Sequence, residues 1–183
     1  GAPEAGQKVI VVDHHVAEPR LPQAAAVINP NRLDDSSRHG HMAAVGVTFL
    51  LIVALNRALR QAGWFAARRE PNLMQLLDLV ALGTVCDVVP LKGVNRALVT
   101  QGLKVMAQRR NTGLAALADV CRVDEMPNTY HAGFLMGPRV NAGGRVGEAG
   151  LGARLLSTED RREAEDIARQ LDQFNQERKE IEA

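Results

Sequence analysis

Aromatic residues are scarce in this sequence, making up 3% of its 183 residues. Stacking of nucleobases on aromatic rings therefore cannot be a main binding device of this chain. Hydrophobic residues nevertheless account for 46% of the sequence, so a sizeable core can form from Ala, Val and Leu. This composition excludes a disordered chain and predicts a globular protein with an aliphatic core.

An excess of charge is also lacking, since 22 basic and 21 acidic residues give a net charge of +1. This balance excludes a generally polycationic nucleic-acid-binding surface, so any phosphate binding has to be local. The two cysteines, Cys86 and Cys121, form no CxxC motif. They are typical of small buried side chains in a reducing compartment, and we expect a cytoplasmic protein.

No apolar run reaches the length of a membrane span. The longest, residues 42–55, has about 14 residues, whereas a transmembrane helix needs about 20. We therefore expect a soluble protein with no membrane partner. In such a protein, residues 42–61 would form a long and largely buried core helix.

The chain begins with strand patterns and continues with helix patterns. Residues 8–12 (KVIVV) are a non-alternating apolar run, which predicts a parallel strand buried on both faces, and residues 25–28 (AAVI) predict a second strand. Asn72 is expected to cap a helix, whereas the five glycines and one proline of residues 137–150 predict a loop between helices. The predicted helices are residues 42–61, 72–86, 94–109, 113–121 and 158–183. The predicted fold is α/β, with short parallel strands at the N-terminal end, a mostly helical remainder and a long C-terminal helix.

The first strand ends abruptly at Asp13-His14-His15. Ligands of open α/β sheets bind beyond the carboxyl ends of the strands, and carboxylate with imidazole suits Mn, Fe, Zn or Co. Adjacent residues of an extended strand point to opposite sides, so we expect one histidine to bind metal and the other to face a substrate. Asp13 is expected to orient a histidine. The alternative is a polar loop with solvated histidines.

Asp87 ends the apolar segment "LLDLVALGTVCDVVPL", where a buried carboxylate would need a partner or a metal ion. The alternative is an exposed aspartate in the last turn of a helix. The glycine-rich "GPRVNAGGRVG" permits backbone N–H groups to converge on an anion at Gly143-Gly144, and Arg139 and Arg145 could hold phosphate through bidentate contacts. A tight helix connection with surface arginines is the alternative here.

These segments together resemble the DHH phosphoesterase superfamily and, within it, the RecJ-type single-strand-specific 5′ exonucleases. "VIVVDHH" resembles the third motif of the family, and "ALGTVCDVVPL" resembles the fourth, followed by "NRALVTQGL". Residues 137–160 resemble a stretch specific to RecJ, located before a long connecting helix. The resemblance covers nearly the whole chain in the same order.

The resemblance implies phosphodiester hydrolysis by two divalent ions, Mn²⁺ or Mg²⁺, in DNA repair and recombination. By position, His14 and Asp87 would be metal ligands, His15 would contact the scissile phosphate or the leaving group, and Asp13 would support the pair. The residues implied for phosphate binding are Arg139, Asn141 and Arg145, with His41 near the site. The partner would be single-stranded DNA, and a helicase or single-strand-binding protein is implied by the resemblance alone.

The chain departs from the family because the first two motifs, which supply further metal-binding aspartates, precede Asp-His-His. Only 12 residues precede Asp13, and Glu4 is the only acid among them. We expect an internal fragment that is itself inactive. Residues 1–42 would close the catalytic α/β domain, residues 43–157 would form its helical part with a Gly-rich loop, and residues 158–183 would start the interdomain helix.

Two other functions remain open at this point. One is a different DHH-family phosphoesterase, acting on oligonucleotides, cyclic dinucleotides or pyrophosphate, although the stretch from 137 to 160 disfavours it. The other is a non-catalytic helical scaffold in which the histidines and acidic residues are solvated.

Overall fold

The computed structural model describes residues 6–146 and 148–182, except for the side chains of residues 145, 146 and 182. Strands β1 (Ile10–Val12) and β2 (Ala26–Ile28) pair in parallel, with Val11 opposite Val27. Both predicted strands and the mostly helical remainder are thereby confirmed. The burial of the first strand on both faces was wrong, since Ile10 is 58% exposed. Within the described residues the sheet has only these two strands, so it cannot cover itself.

Helices make up most of the remaining chain. Asn72 accepts a hydrogen bond from the N–H of Met74 at 3.2 Å, as its predicted capping role requires, at the start of a 3₁₀ turn, Leu73–Leu76. The helices of the described residues are α1 (Ala44–Gln61), α2 (Leu77–Cys86), α3 (Gly93–Met106), α4 (Thr112–Val120), α5 (Gly137–Val146), α6 (Leu151–Ser157) and α7 (Arg161–Glu182). A π-helical segment, His131–Met136, runs directly into α5.

The glycine-rich segment is helical, so the prediction of a loop between residues 137 and 150 was wrong for most of its length. Its glycines serve close packing between helices. A Cβ atom at Gly137 would collide with the sulfur of Cys86 in α2, and one at Gly143 would come within 3.0 Å of Leu171 in α7. Because the backbone is helical, Gly143 and Gly144 do not form the anion-binding turn that the sequence suggested.

Two aliphatic clusters form the core. The larger one joins the helices from α4 to α7 and contains fully buried Leu117, Met136, Leu155 and Leu171. The smaller one includes Phe49 of α1, Leu77 and Val80 of α2, and Val105 of α3. The core therefore places α2, which carries the fourth-motif residues, between the strand end and α5.

Helix α1 is less buried than its composition predicts. Its buried residues are Gly46, Val47, Phe49 and Asn56, whereas Leu50, Val53 and Leu55 are 38% to 54% exposed. By length and composition alone α1 could cross a membrane, but core helices of soluble proteins have the same properties. The packing of Phe49 in the smaller cluster is that of a core helix.

Candidate metal centre

Strand β1 ends just before Asp13, whose side-chain carboxylate holds the following backbone in a turn. Its Oδ1 accepts hydrogen bonds from the N–H groups of His14 at 2.7 Å and His15 at 3.2 Å. A short polar side chain that captures the next backbone N–H groups is a typical strand terminator. The alternation of the strand therefore stops at Val12, and the two imidazole rings lie 4.4 Å apart. The prediction that they point to opposite sides was wrong for this reason.

Two asparagines that follow β2 hold the histidine turn from the other side. Asn29, which is buried, donates to the carbonyl of His15 at 2.9 Å. Asn31 donates to the carbonyls of His14 at 2.6 Å and Gly40 at 2.9 Å. Both backbone carbonyls of the histidine pair are thus fixed, which limits the positions of the two rings.

Asp87 lies at the C-cap of α2, where its N–H donates to the carbonyl of Gly83 at 3.0 Å. The next residue, Val88, has a φ of 57°, a left-handed conformation that is strained for a β-branched residue. Asn95 of α3 is fully buried and donates to the carbonyls of Pro90 at 3.0 Å and His41 at 2.7 Å. It therefore ties the loop after Asp87 to the loop that leads into α1.

The turn after β1 and the end of α2 meet at the side chains of His14 and Asp87. His14 Nε2 and Asp87 Oδ2 are 3.3 Å apart, and the side chains are 17% and 36% exposed. With metal–ligand bonds of about 2.1 Å, this separation is typical of two neighbouring ligands on one ion. An imidazole and a carboxylate fit Mn²⁺ or Mg²⁺ in part, since both ions favour additional oxygen ligands.

Asp13 and His15 form the outer part of the same centre. One donor atom from each of Asp13, His14 and His15 lies within 4.8 Å of the others. The Oδ1 of Asp13 also lies 2.7 Å from Nδ1 of His15, so this oxygen is already engaged by three nitrogen atoms. This geometry favours an orienting role for Asp13 and leaves the exposed ring of His15 beside the His14–Asp87 pair.

The pair of Asp13 and His15 is electrostatically coupled. The hydrogen bond from His15, followed by those from the backbone N–H groups, lowers the pKa of Asp13 from 3.8 to about 2. The same bond to the carboxylate raises the pKa of His15 above its usual 6.5. Near neutral pH, Asp13 is therefore a full negative charge that favours the protonated imidazole.

A cavity of about 300 Å³ contains the His14–Asp87 pair. Asn141 of α5 lines this cavity, as does the first turn of α1, residues 43–45. This turn has no acidic residue and no capping side chain, and the N-terminus of a helix attracts anions. Side chains that can bind a metal ion and groups that can bind a phosphate thus line the same cavity.

The other predicted phosphate contacts are placed differently. Arg139 does not line this cavity, because its guanidinium donates to Asp172 of α7 and to the carbonyl of Leu135, both at 2.7 Å. This geometry favours a packing role for it. The side chain of Arg145 lies outside the described part of the structure. His41 lies just before α1, and its Nε2 is buried without a hydrogen-bond partner among the described residues.

Sequence reasoning missed the three asparagines that hold the site, namely Asn29, Asn31 and Asn95. Asn29 and Asn31 have a weak local signal, since they directly follow an apolar strand. The signal for Asn95 is weaker still, because it is a single amide residue in a helix whose exposed face also carries polar residues. All three act on backbone carbonyls that are distant in sequence, and such partners cannot be recognised from residue types.

Comparisons with known proteins support the fold. Residues 1–84 match the family model "DHH family, N-terminal domain", and the described part of the chain has the fold of solved RecJ structures. The chain is similar to the single-stranded-DNA-specific exonuclease RecJ of Dickeya dadantii, with 47% identity over 97% of this chain and 32% of the relative. RecJ of Escherichia coli is 46% identical over 97% of this chain and 31% of the relative.

Two solved structures support the same assignment of the fold. Exonuclease RecJ bound to manganese superposes with a TM-score of 0.83 at 34% identity, covering 99% of this chain and 43% of that one. RecJ of Thermus thermophilus in complex with Mn²⁺ gives a TM-score of 0.81 at 35% identity, covering 98% of this chain and 26% of that one. The chain therefore spans about a third of the length of the curated relatives that it matches.

Proposed function

We propose that this chain is the central part of a metal-dependent exonuclease that degrades single-stranded DNA from its 5′ end in DNA repair and recombination. The observation that carries the proposal is the approach of His14 Nε2 to Asp87 Oδ2, at 3.3 Å, in a cavity shared with Asn141. These are residues of the third motif, the fourth motif and the RecJ-type stretch, and they come from three different parts of the chain. The similarity to RecJ over 97% of the chain supports the same function.

The proposed cofactor is Mn²⁺ or Mg²⁺, held by His14 and Asp87. Bound ions of this kind lower the pKa of an attacking water and neutralise charge that develops on the phosphate. A two-ion site needs more carboxylates than these two residues supply. We propose that the others belong to sequence N-terminal to Gly1, and that residues 1–42, 43–157 and 158–183 are the end of a catalytic α/β domain, its helical part and the start of an interdomain helix.

The protein side chains divide the remaining work. His15, whose pKa is raised by its contact with the Asp13 carboxylate, is positioned to donate a hydrogen bond to the scissile phosphate or a proton to the leaving oxygen. Asn141, exposed on α5, offers an amide donor to a neighbouring phosphate. Contacts of Arg139, Arg145 and His41 with the strand remain proposals, and the Asp172 partner of Arg139 makes that contact the least favoured of the three.

Single-stranded DNA is the proposed substrate, and the proposed location is the cytoplasm, where bacterial DNA is found. A helicase or a single-strand-binding protein as partner is supported only by the family resemblance. Other DHH-family substrates can be compared directly. Hydrolysis of long single-stranded DNA by the full-length protein should exceed that of pyrophosphate, a dinucleotide and a cyclic dinucleotide, and the reverse order would favour another phosphoesterase.

The assignment of the site is tested by carboxylate replacement in the full-length protein. Asp87→Asn and His14→Ala should reduce Mn²⁺-dependent hydrolysis of single-stranded DNA by at least about a hundredfold, since each removes a metal ligand. Asp78→Asn is the matched control, because Asp78 belongs to the same helix but is buried beside the N–H of Leu79. The Asp78→Asn variant should hydrolyse single-stranded DNA at the wild-type rate.

A non-catalytic scaffold predicts the opposite result. In that case the Asp87→Asn and His14→Ala variants of the full-length protein would hydrolyse single-stranded DNA as fast as the wild type does. Circular dichroism of each variant has to show wild-type helix content and melting temperature, so that a loss of activity reports on the site and not on folding.

A further inference from the structure

Two exposed aromatic side chains stack on each other just before α5. The ring centroids of Tyr130 and Phe134 are 5.4 Å apart and their planes are inclined by 22°, although the side chains are 57% and 72% exposed. Among the described residues, the only other exposed side chain of Phe, Tyr or Trp is Trp64, whose ring is covered by the guanidinium of Arg68 at 4.1 Å. The Tyr130–Phe134 pair is therefore an aromatic surface to which the proposed function has given no role.

The pair is exposed because the opposite side of its helical segment is anchored in the core. Ala132 and Met136 of the π-helical segment are fully buried, and this fixes which side of the segment faces solvent. Tyr130 directly precedes the segment and Phe134 lies within it, so the two residues are four apart and share a face. Short π-helical segments are frequent at functional sites.

Phe134 lies beside the proposed metal centre. It directly follows Gly133 and comes one turn before Pro138, and both of these residues line a cavity of about 180 Å³. This cavity shares Cys86 and Asn141 with the cavity of the metal centre. Asn141 follows Phe134 by two turns, which is about 10 Å along a helix axis. A DNA strand that leaves the metal centre along this side of α5 therefore reaches Phe134 within a few nucleotides.

The exposed ring of Phe134 fits a nucleobase. Tyr130 covers one face of this ring, and the high exposure of Phe134 leaves its other face open. Stacking of bases on aromatic rings is a principal contact to single-stranded nucleic acids, whereas a base in a duplex must first be unstacked and unpaired at a cost of a few kcal/mol. The scarcity of aromatic residues in this chain excludes an extended stacking surface but leaves room for one such contact.

We propose that Phe134, supported by Tyr130, stacks on one nucleobase of the DNA strand close to its 5′ end. This inference rests on the proposed function. It adds a contact to a base to the proposed contacts with phosphates, and it supplies a physical reason for selectivity towards single strands, because a paired base cannot reach the ring.

The kinetic test uses the full-length protein and a single-stranded oligonucleotide. Phe134→Ala should raise KM by roughly tenfold, the effect of one lost stack of a base on an aromatic ring, while kcat changes little. Phe134→Tyr should keep the wild-type KM. Phe134→Leu should resemble Phe134→Ala, because leucine keeps an apolar side chain but lacks the flat ring.

Trp64→Ala is the matched control, because Trp64 is also an exposed aromatic residue but follows the far end of α1. The length of this helix, about 27 Å, separates it from residues 43–45, which line the cavity of the metal centre. The Trp64→Ala variant should keep the wild-type KM.

An abasic site in the substrate identifies the base. One at a time, the bases near the 5′ end of the oligonucleotide are removed while the backbone is kept. In the wild-type protein one such site should raise KM about as much as Phe134→Ala does, and in the Phe134→Ala variant the same site should add little. This non-additivity requires the ring and that base to interact.

The melting temperature of each full-length variant separates binding of DNA from packing within the protein. A lower melting temperature of Phe134→Ala with an unchanged KM would mean that another segment of the protein covers the ring, and it would overturn the inference. Equal KM values for Phe134→Leu and the wild type, additive effects at every abasic site, or no sensitive base in the wild-type protein would overturn it too.

The scan of abasic sites with the wild-type protein needs no variant, so it does not depend on whether Phe134→Ala folds. All of these negative results leave the proposed function standing. A wild-type protein that does not hydrolyse single-stranded DNA would instead overturn both proposals.

Discussion

At the scale of single residues, Asp13 connects the local structure to the site. One of its oxygens ends β1, fixes the N–H groups of His14 and His15, and meets the ring of His15 at 2.7 Å. The cost of placing a carboxylate at the end of a strand is therefore offset by three polar contacts. The same contacts direct His14 towards Asp87 and keep His15 on the exposed side.

Asp13→Asn should lower the pKa of His15 in the metal-free protein. The carboxylate raises this pKa above 6.5, and an amide retains the hydrogen-bonding oxygen but not the charge. Titration of the imidazole resonances by NMR measures the change, and the pKa of His15 should move back towards 6.5. An unchanged pKa would contradict the Asp13–His15 contact.

The stabilising effect of this pair has a defined pH window. The pKa of Asp13 is lowered from 3.8 to about 2, so its contribution is present above 3.8 and lost as the pH falls through about 2. The pKa of His15 is raised, so its contribution is present below 6.5 and lost as the pH rises through the folded value. Both contributions are complete only between about pH 4 and 6.5, and they are small because His15 is exposed.

The residues proposed to bind the metal ion could be singled out from the sequence, whereas the asparagines that hold the surrounding loops could not. His14 and Asp87 stand out because each interrupts an apolar segment where a polar side chain is costly. Asn29, Asn31 and Asn95 act on backbone carbonyls of other segments, so they become visible only when the tertiary structure brings those segments together.

At the scale of elements, the glycine-rich helix α5 shows where local patterns mislead. Five glycines and a proline in residues 137–150 indicate a loop by propensity, but tertiary packing favours a helix. The position of Gly137 against the sulfur of Cys86 leaves no room for a side chain. The glycine at position 137, which lowers the helix propensity of the segment, is thus explained by the close approach of α2 and α5. The same approach places Asn141 beside Asp87.

Substitutions at two glycines of α5 should have opposite effects. Gly137→Ala should lower the free energy of unfolding by about 1–3 kcal/mol, because its Cβ overpacks against Cys86. Gly144→Ala is the matched control, since no atom lies within 4 Å of its Cβ position, and it should raise the free energy of unfolding by about 0.5–1 kcal/mol. Urea denaturation measures both.

The double variant Gly137→Ala, Cys86→Ala tests the cause. Removal of the sulfur should recover part of the stability, so the two effects should be less than additive. Equal losses at Gly137 and Gly144 would contradict close packing as the reason for the glycine at position 137.

At the scale of the whole molecule, several apolar surfaces are uncovered. The two-stranded sheet leaves Ile10 exposed, and α1 exposes Leu50, Val53 and Leu55. Parallel sheets are normally covered on both faces. Together with coverage of 32% of a curated relative, this exposure supports the proposal that further strands and metal-binding carboxylates belong to sequence N-terminal to Gly1.

The 183-residue polypeptide should therefore be inactive by itself. With Mn²⁺ and single-stranded DNA it should release no nucleotides above background, because His14 and Asp87 alone supply too few ligands for two ions. The full-length protein, assayed in parallel, should be active. Robust degradation by the 183-residue polypeptide would contradict the proposal that the metal centre is completed from outside it.

The central claim is that His14 and Asp87 together hold a catalytic metal ion. Its most direct test is the affinity of the full-length protein for Mn²⁺, measured by electron paramagnetic resonance without substrate. His14→Ala and Asp87→Asn should each weaken binding at the tighter site by at least about tenfold, and Asp78→Asn should bind like the wild type. Wild-type affinity in both His14→Ala and Asp87→Asn would contradict the account.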